Sequence, residues 1–197
     1  GNKAIFGYGL GGGYLSLTNL VSNTGVVSTD TTGVGTARQS LAAASFGGVV
    51  PPSPYVGMAI FGYGSIGGYP QSMTNLVSNT GVVSADVTGV GTARFALAAA
   101  GYGTDKAIFG YGIGPVSMTN LVSNTGVVSA DTTGVGTGRY GLSAAGYGTD
   151  KAIFGYGTTG GSNYQSLTNL VSNTGVVSGD TTGVGTGRYG LSAAGYG

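Results

Sequence analysis

The chain repeats itself four times, and this constrains its fold more than any other feature. Ala-Ile-Phe-Gly-Tyr-Gly stands at 4–9, 59–64, 107–112 and 152–157. Asn-Leu-Val-Ser-Asn-Thr-Gly follows at 19–25, 75–81, 120–126 and 169–175. An Asp then precedes an Arg by eight residues in every copy: Asp30/Arg38, Asp86/Arg94, Asp131/Arg139 and Asp180/Arg188. A unit of this size stacks on its neighbours to bury its apolar face, so the expectation is one repeat domain over 1–197. Its repeats run over about 4–58, 59–106, 107–151 and 152–197 plus 1–3. From Ala to Ala the periods are 55, 48 and 45, and the step from Ala152 through both termini to Ala4 is 49, so the four total 197. The chain is thus a whole number of repeats cut inside one of them. A ring closed by strands from both termini has this arithmetic, and so does a segment cut in register from a longer array.

Each repeat reads as four short strands. Lys-Ala-Ile-Phe-Gly-Tyr is the first, and 16–22 is the second, alternating and rich in β-formers. Asn23-Thr24-Gly25 is a hairpin signal with Gly at the left-handed position. Gly-Val-Val-Ser is the third strand, followed by Asp30-Thr31-Thr32-Gly33, with Asp first and Gly fourth as a type I turn prefers. The fourth strand, 139–147 in its clearest copy, is rich in Ala and Gly and suits a crowded position near an axis. No stretch carries a capped 3.6-residue period, so essentially no helix is expected.

Composition removes most chemistry. The 197 residues hold 43 Gly, no Cys, no His, no Trp and, reading along the chain, no Glu. Neither a Cys/His zinc site nor a Ser-His or Cys-His nucleophile can be built, and no His serves as general base. No catalytic residue, metal site or cofactor is expected. Seven Lys+Arg against six acidic residues give a net charge of +1 without a basic run, which argues against nucleic acid as a partner. No apolar stretch approaches the length of about 20 residues that inserts into a membrane.

Four strands per repeat of this length is the pattern of a β-propeller blade. The residues here resemble the kelch family. Arg139-Tyr-Gly-Leu-Ser-Ala-Ala stands where a kelch blade carries a small-residue strand after an Arg. Lys151-Ala-Ile-Phe-Gly-Tyr-Gly occupies the place of its Lys-Ile-Tyr-Val-Phe-Gly-Gly-like strand, and Ser172-Asn-Thr-Gly that of its later turn. The resemblance covers all four repeats. It departs from the pattern where Gly-Gly becomes Gly-Tyr-Gly and where the blade's usual Trp is missing. It implies an all-β propeller of four kelch-like four-stranded blades, closed by strands from both termini, or a sector of a larger propeller or array. Copper oxidases of kelch type use His and a Cys-linked Tyr, and this chain has neither, so no enzyme is expected.

Nearly every charge occupies a repeat position. Four Asp or four Arg converging on an axis would bind an ion. The plainer reading is that Asp caps its own Thr-Thr-Gly turn while Arg ties adjacent strands or blades, because a catalytic group belongs in one repeat and not in all. Gly7-x-Gly9-x-x-Gly12 matches a dinucleotide-loop pattern, but no helix is expected after it and the third copy breaks the pattern at Pro115.

Function is expected where the repeats disagree. From Asn to Arg the spacing is 19 in every copy, whereas from the first-strand Ile to that Asn it is 14, 15, 12 and 16. The variable segments are 10–17, 65–73, 113–118 and 158–167, with a further proline-bearing insertion around 48–55. They carry Tyr14, Tyr69 and Tyr164, with Asn163 and Gln165 beside the last. Tyr among Ser, Gly and Asn gives rigid contact area with adaptable hydrogen bonds, so these five residues are the candidate ligand-binding set. The expected role is a non-catalytic structural or recognition module of an extracellular or virion-surface assembly, such as a tail fibre or adhesin. Its partners would be other subunits or glycans. The alternative is a fibre subunit whose terminal half-blades join head to tail.

Overall fold

The computed structural model describes residues 3–47 and 58–196; the insertion expected at 48–55 lies outside them. The chain is all-β, with no helix among the described residues. The first repeat forms β1 (Ala4–Leu10) and β2 (Tyr14–Val21), paired antiparallel with Ile5 opposite Leu20. Then come β3 (Ala42–Phe46), β4 (Met58–Gly62), the small hairpin β5 (Ser65–Ile66) and β6 (Tyr69–Pro70), and β7 (Thr74–Val77). The third unit is β8 (Ala98–Tyr102), β9 (Lys106–Gly110) and β10 (Thr119–Val122). The fourth is β11 (Ser143–Tyr147), β12 (Lys151–Gly155) and β13 (Thr168–Val171).

Three antiparallel three-stranded sheets result, β3-β4-β7, β8-β9-β10 and β11-β12-β13, beside the two-stranded β1-β2 and β5-β6. In each three-stranded sheet the Ala-Ile-Phe-Gly strand is central, and the small-residue strand that ends the preceding repeat pairs along one edge. A sheet therefore straddles a repeat boundary.

Two expected elements differ. The Gly-Val-Val-Ser segment is not a continuous strand; it touches the sheet edge through a single bridge, Val77 to Val83 for instance, and a second bridge, Thr74 to Val87, lies beyond it. The cause is the Ser that follows the two valines. The Ser84 hydroxyl, in place of a backbone carbonyl, accepts the amide of Leu76 at 2.9 Å, and Ser28, Ser129 and Ser178 do the same in the other units. With a side chain occupying that ladder position, the pairing is interrupted and resumes at Thr74 and Val87. The second difference concerns 191–196, which belongs to no sheet, so β1 lacks a small-residue neighbour and the sheets of the described residues do not close into a ring. This segment lies beside β11 instead: a Cβ added at Gly195 would stand 2.8 Å from Gly146 O, and just before the segment Gly190 donates its amide to Gly141 O at 2.8 Å.

The core lies between successive sheets. Phe109 and Ala107 pack with Ile60, Tyr63 and Phe46 of the preceding sheet, and Phe154 and Ala152 pack likewise with Ile108, Tyr111 and Tyr102. Phe61, Phe109 and Phe154 each meet the Tyr of the unit before, edge-on for Tyr8–Phe61 and Tyr63–Phe109 and tilted for Tyr111–Phe154, with ring centroids 5.2, 5.1 and 5.1 Å apart. The Phe ring also lands on a glycine. A Cβ added at Gly62 would stand 2.6 Å from Phe109 Cζ, and one at Gly110 2.7 Å from Phe154 Cζ. At Gly155 the added atom meets only Thr168 Cγ2, at 3.3 Å.

Gly62→Ala is therefore expected to destabilise the chain by about 1–3 kcal/mol, the cost of overpacking a filled site. Gly155→Ala should stay within about 0.5 kcal/mol of the parent, as surface changes do. Urea midpoints of the two variants measured side by side check the contrast.

Candidate functional site

The repeated charges build one structure three times. Tyr8, Tyr63 and Tyr111 take the left-handed backbone conformation, with φ of 63°, 65° and 66°, which few non-glycine residues adopt. That turn sets each ring beneath an arginine of its own repeat: the guanidinium carbons of Arg38, Arg94 and Arg139 lie 4.5, 4.5 and 4.9 Å from the centroids of Tyr8, Tyr63 and Tyr111. Each tyrosine hydroxyl donates to a valine carbonyl of the same repeat, Tyr63 to Val90 O at 3.2 Å for instance.

Beyond the ring, the guanidinium reaches into the next repeat. Arg38 donates from Nε to Tyr63 O at 2.7 Å, from Nη1 to Thr36 O at 3.0 Å, and from Nη2 to Asn75 Oδ1 at 2.7 Å. Arg139 repeats the set with Tyr156 O, Thr137 O and Asn169 Oδ1. Arg94 bonds Thr92 O and Asn120 Oδ1, while its Nε has no partner and is the one such buried side-chain atom among the described residues. The three arginines are 0%, 1% and 0% exposed, so these bonds stand in place of water, completely except at Arg94 Nε.

The carboxylates complete the contact from the other side. Asp86 accepts the Thr36 amide at 3.0 Å, the Thr36 hydroxyl at 2.5 Å and the Asn75 side-chain amide at 2.9 Å, and lies 3.9 Å from Arg38. Asp131 and Asp180 do the same for Thr92 with Asn120 and for Thr137 with Asn169. Their hydrogen bonds come from the Thr of the preceding repeat and the Asn of their own and not, as expected from sequence, from the turn that follows them. Arg38, Arg94 and Arg139 each tie one unit to the next.

Burial works against charge here and is only partly offset. It lowers the pKa of Arg38 and Arg94, with the neighbouring Tyr and Asp acting in the opposite sense. It pushes Tyr63 and Tyr111 up to about 12 against the pull of the arginine above each ring. For Asp86, Asp131 and Asp180 burial also pushes upward, but hydrogen bonds from Thr and Asn, helped by the arginine, outweigh it and hold the carboxyls below their usual range.

At the two ends the same parts stand open. Asp30 is bonded by Asn19 at 2.8 Å, with no arginine beside it. Arg188 lies 4.1 Å over Tyr156 and donates to Thr186 O, but it is exposed.

The candidate ligand-binding residues fall into two groups. Tyr14 opens β2 and accepts the Gly67 amide at 2.7 Å, which joins the variable segments of the first two repeats; Tyr69, on β6, is 76% exposed. Tyr164 stacks on Tyr189 with centroids 5.1 Å apart and planes 8° from parallel. Beside it Gln165 donates to Asn163 Oδ1 at 2.9 Å, and Asn163 donates to Thr159 Oγ1 at 2.6 Å. A large groove of about 1560 Å³ lies elsewhere, lined by Lys3, Ala4 and Ile5 of the first unit, by Ala43 and Ser45 of β3, and by Tyr196. A smaller cleft of about 260 Å³ runs among the small-residue strands, touching Ala43, Ala98, Ala144 and Ala193. No family model matches the chain, and a search of the curated proteins finds no match.

The Tyr platforms, the Asn acceptors and the Thr donors were absent from the expected site. Their signal was present, since all three recur at fixed offsets in every repeat.

Arg94→Ala leaves the buried Asn120 Oδ1 without its donor and should cost about 1–3 kcal/mol, as leaving a buried acceptor unsatisfied does. Lys106→Ala, which removes only a half-exposed pair with its neighbour Asp105, should change stability by about 0–1 kcal/mol. Denaturant titration of both separates a buried tie from a surface one. A carboxyl held low when folded adds stability in full above its ordinary pKa of about 3.9 and loses it as pH falls through the folded value. The parent should therefore weaken on acidification below about pH 4, and Asp131→Asn should show a shallower acid slope when urea midpoints are compared between neutral and acid pH.

Proposed function

We propose that this chain is a non-catalytic structural and recognition module of an extracellular or virion-surface assembly. Its units are kelch-like propeller blades: the small-residue strand is innermost, Ala-Ile-Phe-Gly and Thr-Asn-Leu-Val follow, and the bridged Val-Val segment forms the outer edge. The variable segments are held toward a protein partner or a glycan. The observation that carries this reading is the division of labour among residues. Six of the eight repeat charges are engaged in joining one unit to the next, which leaves the joined surfaces no freedom to vary. Length and composition change in 10–17, 65–73, 113–118 and 158–167, where Tyr69 and Tyr164 are open to solvent. Tyr faces among Ser, Gly and Asn suit flat polar ligands such as sugars.

A glycan array probed with the chain should give a restricted set of hits. Tyr69→Ala and Tyr164→Ala should each weaken the strongest hit by at least about tenfold, the loss expected of an aromatic anchor. An array without hits, or hits indifferent to both changes, counts against the recognition face and leaves the scaffold alone.

A further inference from the structure

We propose that the two end units bind each other between copies, so that a second copy of this chain is taken up head to tail through a fourth arginine contact. The interface is already present three times inside the molecule, always with one polarity: Tyr and Arg of one repeat receive Phe, Asn and Asp of the next. The end units carry the two halves unmatched. Phe6 is 61% exposed, whereas its counterparts Phe61, Phe109 and Phe154 are 4%, 0% and 0% exposed. Tyr156, whose equivalents each receive such a Phe, has none. Leu170 is 40% exposed, while Leu20, Leu76 and Leu121 lie against Gly81, Gly126 and Gly175 of the following repeat; the matching Gly25 faces open space. The charges divide in the same way, with the cation Arg188 at one end and Asn19 with Asp30 at the other.

The backbone edges agree. Segment 191–196 has the residues of β11 but no strand partner, and β1 has the residues of β12 but no small-residue strand beside it. The register of β11 on β12, with Ala144 opposite Phe154 and Ala145 opposite Ile153, would set Ala193 opposite Phe6 and Ala194 opposite Ile5 of a second copy. Strand addition of this kind satisfies both edges with main-chain hydrogen bonds. The occupant is a second copy because the two faces are complementary, and within the chain 191–196 lies beside β11 and is not paired with β1. Contacts of one polarity build a filament, or a ring where the turn closes. The inference rests on reading the units as blades of one repeating interface, and it is independent of what the variable segments bind.

Light scattering of the chain should give a mass that rises with concentration above 19.1 kDa. Arg188→Asp and Asp30→Arg each leave one face native and should weaken association by at least about tenfold, with circular dichroism unchanged, since charge pairing at such contacts is strongly coupled. An equimolar mixture of the two variants retains one native junction and should regain association. Because the chain has no cysteine, Ile5→Cys combined with Ala194→Cys provides a direct probe. Oxidation should yield a reducible ladder of multiples of the chain. A disulfide formed within a monomer overturns the proposal in favour of closure within one chain, and absence of any disulfide overturns the pairing itself. Polymers indifferent to both charge changes overturn the arginine contact. Loss of glycan binding in Tyr69→Ala with assembly intact would touch the recognition reading alone.

Discussion

The structure depends on a buried guanidinium held between a tyrosine ring and the polar side chains of the following repeat. Removing such a cation from water is costly, and hydrogen bonds with well-placed acceptors offset that cost. Arg38 needs two backbone carbonyls, the Asn75 amide oxygen and the tyrosine face, with Asp86 nearby. These come from two repeats, so neither repeat can bury the arginine alone. Cohesion is thereby passed from neighbour to neighbour, as in other repeat arrays where stability resides in adjacent interfaces.

The same contact accounts for much of the glycine. Gly35, Gly91 and Gly136, all at positive φ, sit directly over the Asn and Asp of the next unit, so a Cβ there would strike the polar cluster that closes on the arginine. Gly62 and Gly110 are empty for a different reason, since a Phe ring occupies the space where their side chains would be. A composition that in isolation suits a disordered chain is, position by position, the consequence of backbones and rings brought into close approach.

Much of the fold was legible in the sequence. The first and second strands and the small-residue strand follow from alternation and β-propensity, and the Asn-Thr-Gly hairpin from Gly25, Gly81, Gly126 and Gly175, whose φ values are 80°, 86°, 81° and 84°. The Val-Val segment was not legible, because its departure from the ladder is decided by a serine hydroxyl that competes with the backbone for one amide. The destination of the aspartates was not legible for a more general reason. In a periodic sequence every Asp has an equivalent Thr in its own repeat and in the one before, and spacing cannot distinguish them. Only the packing of Phe109 on Tyr63, which sets one unit against the next, decides that Asp131 answers Thr92. The candidate ligand-binding tyrosines were legible as variable positions, but the stacking of Tyr164 on Tyr189 depends on where 191–196 lies, and the repeat pattern leaves that open.

The same ambiguity of translation bears on the ends. A repeat that recognises its successor through Tyr156, Leu170 and Arg188 has no means of telling a successor in its own chain from one in another, because the surfaces presented are chemically the same. What separates the two cases is geometry: the angle accumulated from sheet to sheet, and how firmly 191–196 is held along β11. The variable segments stand apart from this constraint. They touch the neighbouring unit only at a few points, where Ser65, Ile113 and Thr158 bond to Gln39, Phe95 and Tyr140 of the preceding repeat and where Tyr14 accepts the Gly67 amide, while the arginine contacts run through the constant parts. The lengths of the variable segments can change without shifting an arginine, a phenylalanine or the register of a strand. A scaffold whose cohesion is kept in one part of the repeat, and whose variation is kept in another, is free to alter what it presents without altering how it is built.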